Sequence, residues 1–419
     1  MFLNHDYIVI SAHHCAPNKG SEHAVGWNAI KELSKNNNLI VITEDNDYKH
    51  DLLRETEKLN TGNQVLVYFV KHGQVSDGRK NNLRVGYYLT YILYQIRVFK
   101  LVRKLINKYD IKLIHHLTIV GFREPGFLWL LPKPFIWGPV GGLVYSPPEL
   151  YSDLSLKMRA FQYVRNFITW LQFNLSIRVR LAYKKTQTSG KFIAAEPSIG
   201  DKFVSKFGGV YDWIPETGST IDTIVRTCDD FKVNQQQRDG TLNLLWLGAL
   251  IDIKPMKLLI DSITESKYKE KVVLNVVGDG ASKDKFKSYA IANNVNVNFI
   301  GWVEHSKVKE NFYSSDLFCL FSMKDLTTNV VFESLSCGTP VICLNHHGYS
   351  YIIDGTCGMK ININERNTMV RDIASKLNSV MENRDRLNVM SRGALEKANK
   401  FTWENNFKKI SDIYCKVTK

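Results

Sequence analysis

Residues 316–341 read DLFCLFSMKDLTTNVVFESLSCGTPV. Leu317–Phe321 is an apolar run of the length of a buried strand, and Ser322–Asn329 is a polar turn. Val330, Val331, Ser334 and Leu335 then recur at helical spacing until Gly338 and Pro340 end the pattern. Two acids mark the turn and the helix start, Asp325 and, eight positions later, Glu333. Amides freed by the turn and the positive end of the helix attract phosphate, while carboxylates accept hydrogen bonds from hydroxyls. The stretch therefore suits an anionic, polyhydroxylated ligand, and a sugar nucleotide carries both kinds of group.

The flanking sequence repeats the same grammar. Leu242–Leu247 (LNLLWL) is strand-like and runs into the glycine loop Gly248–Pro255 (GALIDIKP), which carries Lys254 and precedes a helix through Ser266. Val272–Val277 ends in Gly278–Gly280 (GDG), followed by a helix over roughly Ser282–Asn293. Val297–Ile300 ends at Gly301, Trp302 and Val303; a helix near Lys307–Tyr313, a strand at Val341–Leu344 and terminal helices from about Asn367 complete this half. Glycines at successive strand ends let a backbone approach a ligand closely.

The first half alternates in the same way. Tyr7–Ser11 (YIVIS), a turn at Asn18–Gly20, Ser21 as N-cap of a helix carrying Val25, Ala29 and Leu33, and Leu39–Thr43 (LIVIT) make a βαβ unit. Its loop lacks the full GxGxxG, so no dinucleotide fingerprint is present. Val65–Phe69 is a further strand; Lys112–Leu117 brings His115 and His116 to a strand's C-terminal end, where open α/β sheets place ligands. Arg123 and Glu124 follow, then Phe135–Trp137 ending in Gly138–Gly142 (GPVGG), and Phe192–Ala195. A lone histidine at a strand end is more often packed than catalytic, but histidine, arginine and a glycine loop at successive ends shift that balance. Asp212–Ser219 reads as a turn, and the polar stretch 221–240 as the domain crossing. The expected architecture is α/β, with two Rossmann-like doubly wound domains facing across a cleft. Their spans are 1–220 and 221–400, and a helix at 401–419 packs back towards the first.

Composition narrows the classes. The 419 residues exceed what one core usually supports, and 44% hydrophobic with 23% charged residues is a globular balance. The seven cysteines form no CxxC pair or zinc spacing, which implies buried free thiols in a reducing compartment. The N-terminus lacks a signal-peptide pattern, and the longest uncharged apolar run, Val85–Ile96, is too short to span a bilayer. A cytoplasmic location follows. The formal charge of +14 calls for an anionic partner. Leu83–Lys108 holds six basic residues and no acid, and Ser155–Lys185 repeats this with Phe161, Phe167, Trp170 and Phe173 interleaved. Such basic amphipathic helices suit an anionic membrane surface, on the inner face of the plasma membrane. The alternative is a pair of core helices with solvated basic faces. No nucleic-acid motif accompanies the charge, so nucleic acid is not the expected partner.

With these segments in order, the chain resembles the retaining glycosyltransferases of family 4, which have the GT-B fold. The resemblance rests on GSEHAVGWN at 20–28, HHLTIVGFREPG at 115–126, WGPVGG at 137–142, GALIDIKP, VVGDG, FIGWV and DLTTNVVFESLSCGTPVI at 325–342. It is nearest to bacterial members that build surface polysaccharide (capsule, O-antigen or exopolysaccharide). The resemblance implies transfer from a nucleotide-diphosphate sugar to a hydroxyl of a lipid-linked glycan. It implies that Glu333 binds ribose hydroxyls and Asp325 those of the transferred sugar. Lys254, with Gly248, Gly278 and the amides of Thr327, Thr328, Asn329 and Val330, would hold the diphosphate, and Gly301, Trp302 and Val303 the base. His115 or His116 would stand near the reacting sugar, and Gly20, Ser21, Glu22, Arg123, Gly138, Gly141 and Gly142 on the acceptor or phosphate side. No DxD-like site is visible, so neither metal nor cofactor is expected.

The chain departs from the family pattern at Gly248–Ala249, where many members have arginine soon after the glycine. It also has Asp325 in place of the commoner glutamate, and Leu326–Thr327–Thr328 in place of Gly–Phe–Gly. These changes remove one diphosphate contact, shorten one acid and stiffen the turn. Two rivals remain at this stage: a nucleotide-sugar epimerase of the same architecture, and a non-catalytic basic protein binding nucleic acid or membrane.

Overall fold

A computed structural model describes residues 6–17, 19–60, 62–72, 84–119, 121–221, 224 and 240–418. Asn18 of the expected turn, Cys228, Leu83 and nearly all of the expected crossing at 221–240 lie outside these residues, as do the side chains of Ser21 and 84–87. The chain forms two compact units. One comprises 1–143, 170–216 and 403–419; the other comprises 144–169 and 217–402.

The first unit is built on a seven-stranded sheet. Its strands are β1 (Asp6–Ala12), β2 (Asn38–Glu44), β3 (Val65–Val70), β4 (Asp110–Thr118), β5 (Phe135–Val140), β6 (Gly190–Ala194) and β7 (Asp212–Trp213). They lie in the order β3-β2-β1-β4-β5-β6-β7, and every pairing is parallel. β1 and β2 are buried nearly end to end, as a sheet covered on both faces requires. The helix Trp403–Thr418 belongs to this unit because Trp403, Phe407, Ile410 and Tyr414 enter the core made by Ile10, Val41 and Leu113. β7 falls where the sequence reads as a turn; it is a two-residue strand on the sheet edge.

The second unit holds a six-stranded sheet. Here β8 is Leu242–Leu247, β9 Val272–Val277, β10 Val297–Gly301, β11 Leu317–Leu320, β12 Val341–Leu344 and β13 Gly358–Ile361. The order is β10-β9-β8-β11-β12-β13, again parallel throughout. β13 has no strong signature in the sequence, since GTCGMKI opens as a turn. The tract 144–169, read from the sequence as part of the first domain, belongs to this unit. Leu150, Tyr151 and Leu154 are buried with Leu242, Leu258 and Ile373, and Arg366 pairs with Asp153 at 3.2 Å.

Both sheets therefore reverse their strand order once, between β1 and β4 and between β8 and β11. Ligands bind at the C-terminal ends of the strands flanking such a reversal.

Candidate functional site

In the second unit, the reversal is lined by residues 248–255 and 321–328. The Gly248 amide donates to Val277 O at 3.0 Å and the Gly278 amide to Gly301 O at 2.7 Å, so the ends of β8, β9 and β10 are laced together. Gly278 has φ +136°, and a Cβ there would stand 2.1 Å from Gly248 O, so only glycine allows this crossing. Asp252 accepts from Ser282 Oγ at 2.8 Å and Lys285 Nζ at 2.9 Å, which pins the loop after β8 to the helix Lys283–Ala292. The Met323 amide donates to Ile253 O at 3.1 Å, joining this loop to the one after β11.

That junction sets two of the expected residues together: Lys254 Nζ lies 3.4 Å from Asp325 Oδ2, with both side chains mostly buried. The Asp325 amide donates to Ser322 Oγ at 3.3 Å, which closes the turn the sequence had marked. The helix Asn329–Ser336 follows, capped by Thr328, whose side chain makes no cap bond. The Val331 amide turns back to Thr328 O at 3.1 Å, and the Asn329 and Val330 amides are the first-turn donors with no intrahelical acceptor. Thr327 Oγ1, Thr328 Oγ1 and Asn329 Oδ1 are buried and make no hydrogen bond. Donors and acceptors thus converge, unsatisfied, beside an ammonium group. Glu333 Oε1 lies 3.2 Å from Nε2 of His305, a residue sequence reasoning missed; His305 is 87% exposed, so the pair is weak and easily displaced. Val330 is half-buried in the first turn of the same helix, Val303 is half-buried after β10, and Trp302 presents an exposed indole, 74% accessible.

The corresponding edge of the first unit is packed differently. His115 is fully buried; Tyr414 OH donates to its Nδ1 at 2.5 Å and its Nε2 donates to Gly138 O at 2.6 Å. Burial holds this imidazole neutral, with its pKa lowered to about 4. Both ring nitrogens are committed to protein partners, so His115 orients β4 and β5 and leaves no nitrogen for a sugar hydroxyl. His116, on the opposite face, donates from Nε2 to Glu124 O at 3.0 Å, and its Nδ1 is buried without a hydrogen bond. Its pKa is likewise lowered to about 4 by burial.

The Phe122 amide donates to Gly141 O at 3.0 Å, and Arg123 reaches Gly142 O at 3.5 Å and the Gln172 side chain. The structure thus gathers His115, Arg123, Gly138, Gly141 and Gly142 around the ends of β4 and β5. Gly20, rather than Ser21, is the N-cap of the helix Ser21–Leu33; it is exposed, and a Cβ there would meet nothing within 4 Å.

The end of β1 carries a group that sequence reasoning passed over. His13 and His14 follow the strand, Glu44 closes β2, and His72 lies just beyond β3. Glu44 Oε2 is 3.8 Å from His14 Nδ1, and its Oε1 accepts from His72 Nδ1 at 3.2 Å; Glu22 lies 3.8 Å from His14 Nε2. Burial is the main cause that lowers His13 to about 2 and His14 to about 4, and it raises the carboxyl of Glu22. The signal available in the sequence was positional: His13 and His14, Glu44 and His72 fall just beyond the ends of three predicted parallel strands, and Glu22 lies in the first turn of the helix after the first of them.

Residues 229–397 match the family model described as "Glycosyl transferases group 1". Over 168 residues the chain is 23% identical to the sulfoquinovosyl transferase SQD2 of Arabidopsis thaliana; this aligned region is 39% of the chain and 31% of that relative. The chain therefore spans about a third of the length of the curated relative it matches. The fold is also similar to Anabaena HepE in complex with UDP, with a TM-score of 0.61 and 15% identity over 97% of this chain and 98% of that one. For the apo lipopolysaccharide outer core galactosyltransferase WaaB the TM-score is 0.62, at 13% identity over 98% of this chain and 99% of that one. At this identity the likeness establishes the fold, GT-B.

Proposed function

We propose that this chain is a retaining glycosyltransferase that moves a sugar from a nucleotide-diphosphate donor to a hydroxyl of a lipid-linked glycan, in bacterial surface polysaccharide synthesis. The observation that carries this reading is the Lys254–Asp325 junction beside the start of the helix Asn329–Ser336, which has no side-chain cap bond, at the strand-order reversal of the second sheet. As the bond to the diphosphate breaks, negative charge grows on the leaving oxygen. A fixed ammonium and first-turn amides stabilise it without reorganising. Lys254 exchanges Asp325 for the diphosphate, and the released carboxylate accepts from the sugar's hydroxyls. Glu333 exchanges His305 for ribose, and Trp302 offers a flat face to the base.

The acceptor side draws support from the helix Leu156–Leu175. Leu156, Phe161, Val164, Phe167 and Trp170 are all at least 45% exposed, and Lys157, Arg159 and Arg165 are interleaved with them. Tyr88, Leu89 and Leu93 are exposed on Arg84–Ile106. Among the described residues no helix is long and apolar enough to cross a membrane. An interfacial helix of this kind gains apolar burial in the headgroup layer and roughly 1 kcal/mol per basic residue from anionic lipid.

The reading is tested by incubating the chain with a panel of nucleotide sugars, uridine derivatives first, with and without lipid-linked glycan acceptors. Acceptor-dependent transfer that keeps the anomeric configuration, and binding to phosphatidylglycerol but not phosphatidylcholine vesicles, are the expected results. An epimerised sugar nucleotide released without acceptor would replace this reading with the epimerase one.

A further inference from the structure

We propose that His13, His14 and Glu44 form a binding site for one zinc-class divalent cation at the C-terminal ends of β1 and β2. One donor atom from each lies within 4.8 Å of the other two. His13 is fully buried, yet neither ring nitrogen makes a hydrogen bond, and buried His14 Nδ1 makes none either. Buried polar atoms are nearly always satisfied, so these unsatisfied nitrogens, with one donor atom of each ring within reach of the Glu44 carboxylate, indicate an absent partner.

The chemistry of the surroundings decides what that partner is. The His13 ring is packed edge-on by Tyr91 at 5.2 Å and Tyr94 at 4.6 Å; these contacts fix its plane and leave the nitrogen lone pairs unused. Glu44 and Glu22 both face His14, so an anion such as phosphate would be repelled. Two imidazoles with one carboxylate suit zinc and its neighbours among the transition metals, whereas calcium and magnesium prefer oxygen alone. Tetrahedral zinc, with bonds of about 2.0–2.1 Å, needs donors about 3.4 Å apart. The His14–Glu44 separation of 3.8 Å is already close to that. His72 holds the other Glu44 oxygen and fixes the carboxylate, the outer-shell arrangement typical of metal sites.

The site differs from the donor-diphosphate chemistry proposed above in unit, residues and ligand, and it stands whether or not that reading holds. It would brace the loop between β1 and the helix Ser21–Leu33. That loop is already held close, since a Cβ at Gly26 would lie 2.2 Å from the His14 carbonyl oxygen.

The test uses the full chain, stripped with chelator and titrated with zinc chloride by calorimetry, with elemental analysis and thermal melting alongside. One zinc per chain and a raised melting temperature are expected. Glu44→Gln and His14→Asn should each weaken binding at least about tenfold, and the double variant should abolish it while its metal-free melting temperature stays near that of the parent. His13 substitutions are avoided because that side chain is core. Cobalt gives an independent reading on the unaltered chain, through the visible absorption of a four-coordinate site. No stoichiometric uptake, no cobalt band, or uptake unchanged in the double variant would each overturn the proposal. The last would assign the metal to other histidines, and the first two would leave ordered water as the partner.

Discussion

The two sheets share the strand order 3-2-1-4-5-6 in each unit's own numbering, with a seventh strand at the edge of the first, yet the reversal point is furnished in opposite ways. In the second unit the strand ends are glycines, an ammonium and mostly buried carboxylates, with hydroxyl and amide oxygens left unsatisfied around a helix start. In the first, the ends of β1 and β4 are buried imidazoles held against tyrosines, glutamates and backbone carbonyls. Topology therefore chooses where a site is placed, and side chains choose whether that place carries a ligand or the weight of the fold. The second edge presents an ammonium beside unsatisfied side-chain oxygens, whereas at the first both nitrogens of His115 are taken by protein partners.

Acid gives the largest expected effect and bears on the first edge. His115 and His116 have folded pKa values lowered from 6.5 to about 4, so as pH falls the unfolded chain takes up protons before the folded one does. Their contribution is intact above about pH 6.5 and is lost between there and about pH 4, at up to about 1.4 kcal/mol per pH unit for each histidine. The second unit loses the matching contribution of His346, lowered to about 3. Hydrogen exchange at pH 7 and pH 5 should therefore show the amides of β1 and β4 losing more protection than those of β8 and β11. Equal loss would break the contrast.

Substitutions at the second edge should act on chemistry instead. Glu333→Ala should lower transfer by about 10²–10³-fold, the scale of a removed transition-state or orienting contact, with melting temperature nearly unchanged; turnover like the parent's would remove Glu333 from the site. Lys254→Met should weaken donor binding by roughly 1.5–3 kcal/mol, the range for a hydrogen bond to a charged group, as read by calorimetry with the nucleotide sugar. Unaltered affinity would place the diphosphate elsewhere. Gly248→Ala is the mildest: a Cβ there would stand 2.8 Å from Lys254 Nζ, at φ +136°. It should cost on the order of 1 kcal/mol of stability and shift donor affinity more than melting temperature. A change in stability alone would mean that the lysine's position does not depend on this glycine.

Much of the second edge was legible because it is local. The strand, turn and helix of 316–341 are contiguous, Asp325 and Glu333 sit on that one segment, and the glycine loops announce themselves one by one. The approach of Lys254 to Asp325 was not legible, since it depends on the Met323–Ile253 bond between two loops far apart in the chain. His305 beside Glu333 was missed for the same reason. In the first unit, HHLTIVGFREPG drew attention to His115, whose nitrogens are both taken by Tyr414 and Gly138. The group at His13, His14, Glu44 and His72 escaped notice because its members come from three strand ends separated by helices and loops.

By itself, the sequence determined the α/β alternation, the strands of both sheets apart from β7 and β13, and the chemical character of each strand end. These follow from hydrophobic periodicity and from turn residues, which act over a few neighbours. Tertiary structure alone decided that 144–169 joins the second unit and which strand-end groups meet. It also decided that His115 is satisfied while His13 is not. Such outcomes depend on which buried atoms find partners across the sheet, and pairing between distant segments leaves no periodic trace in the chain.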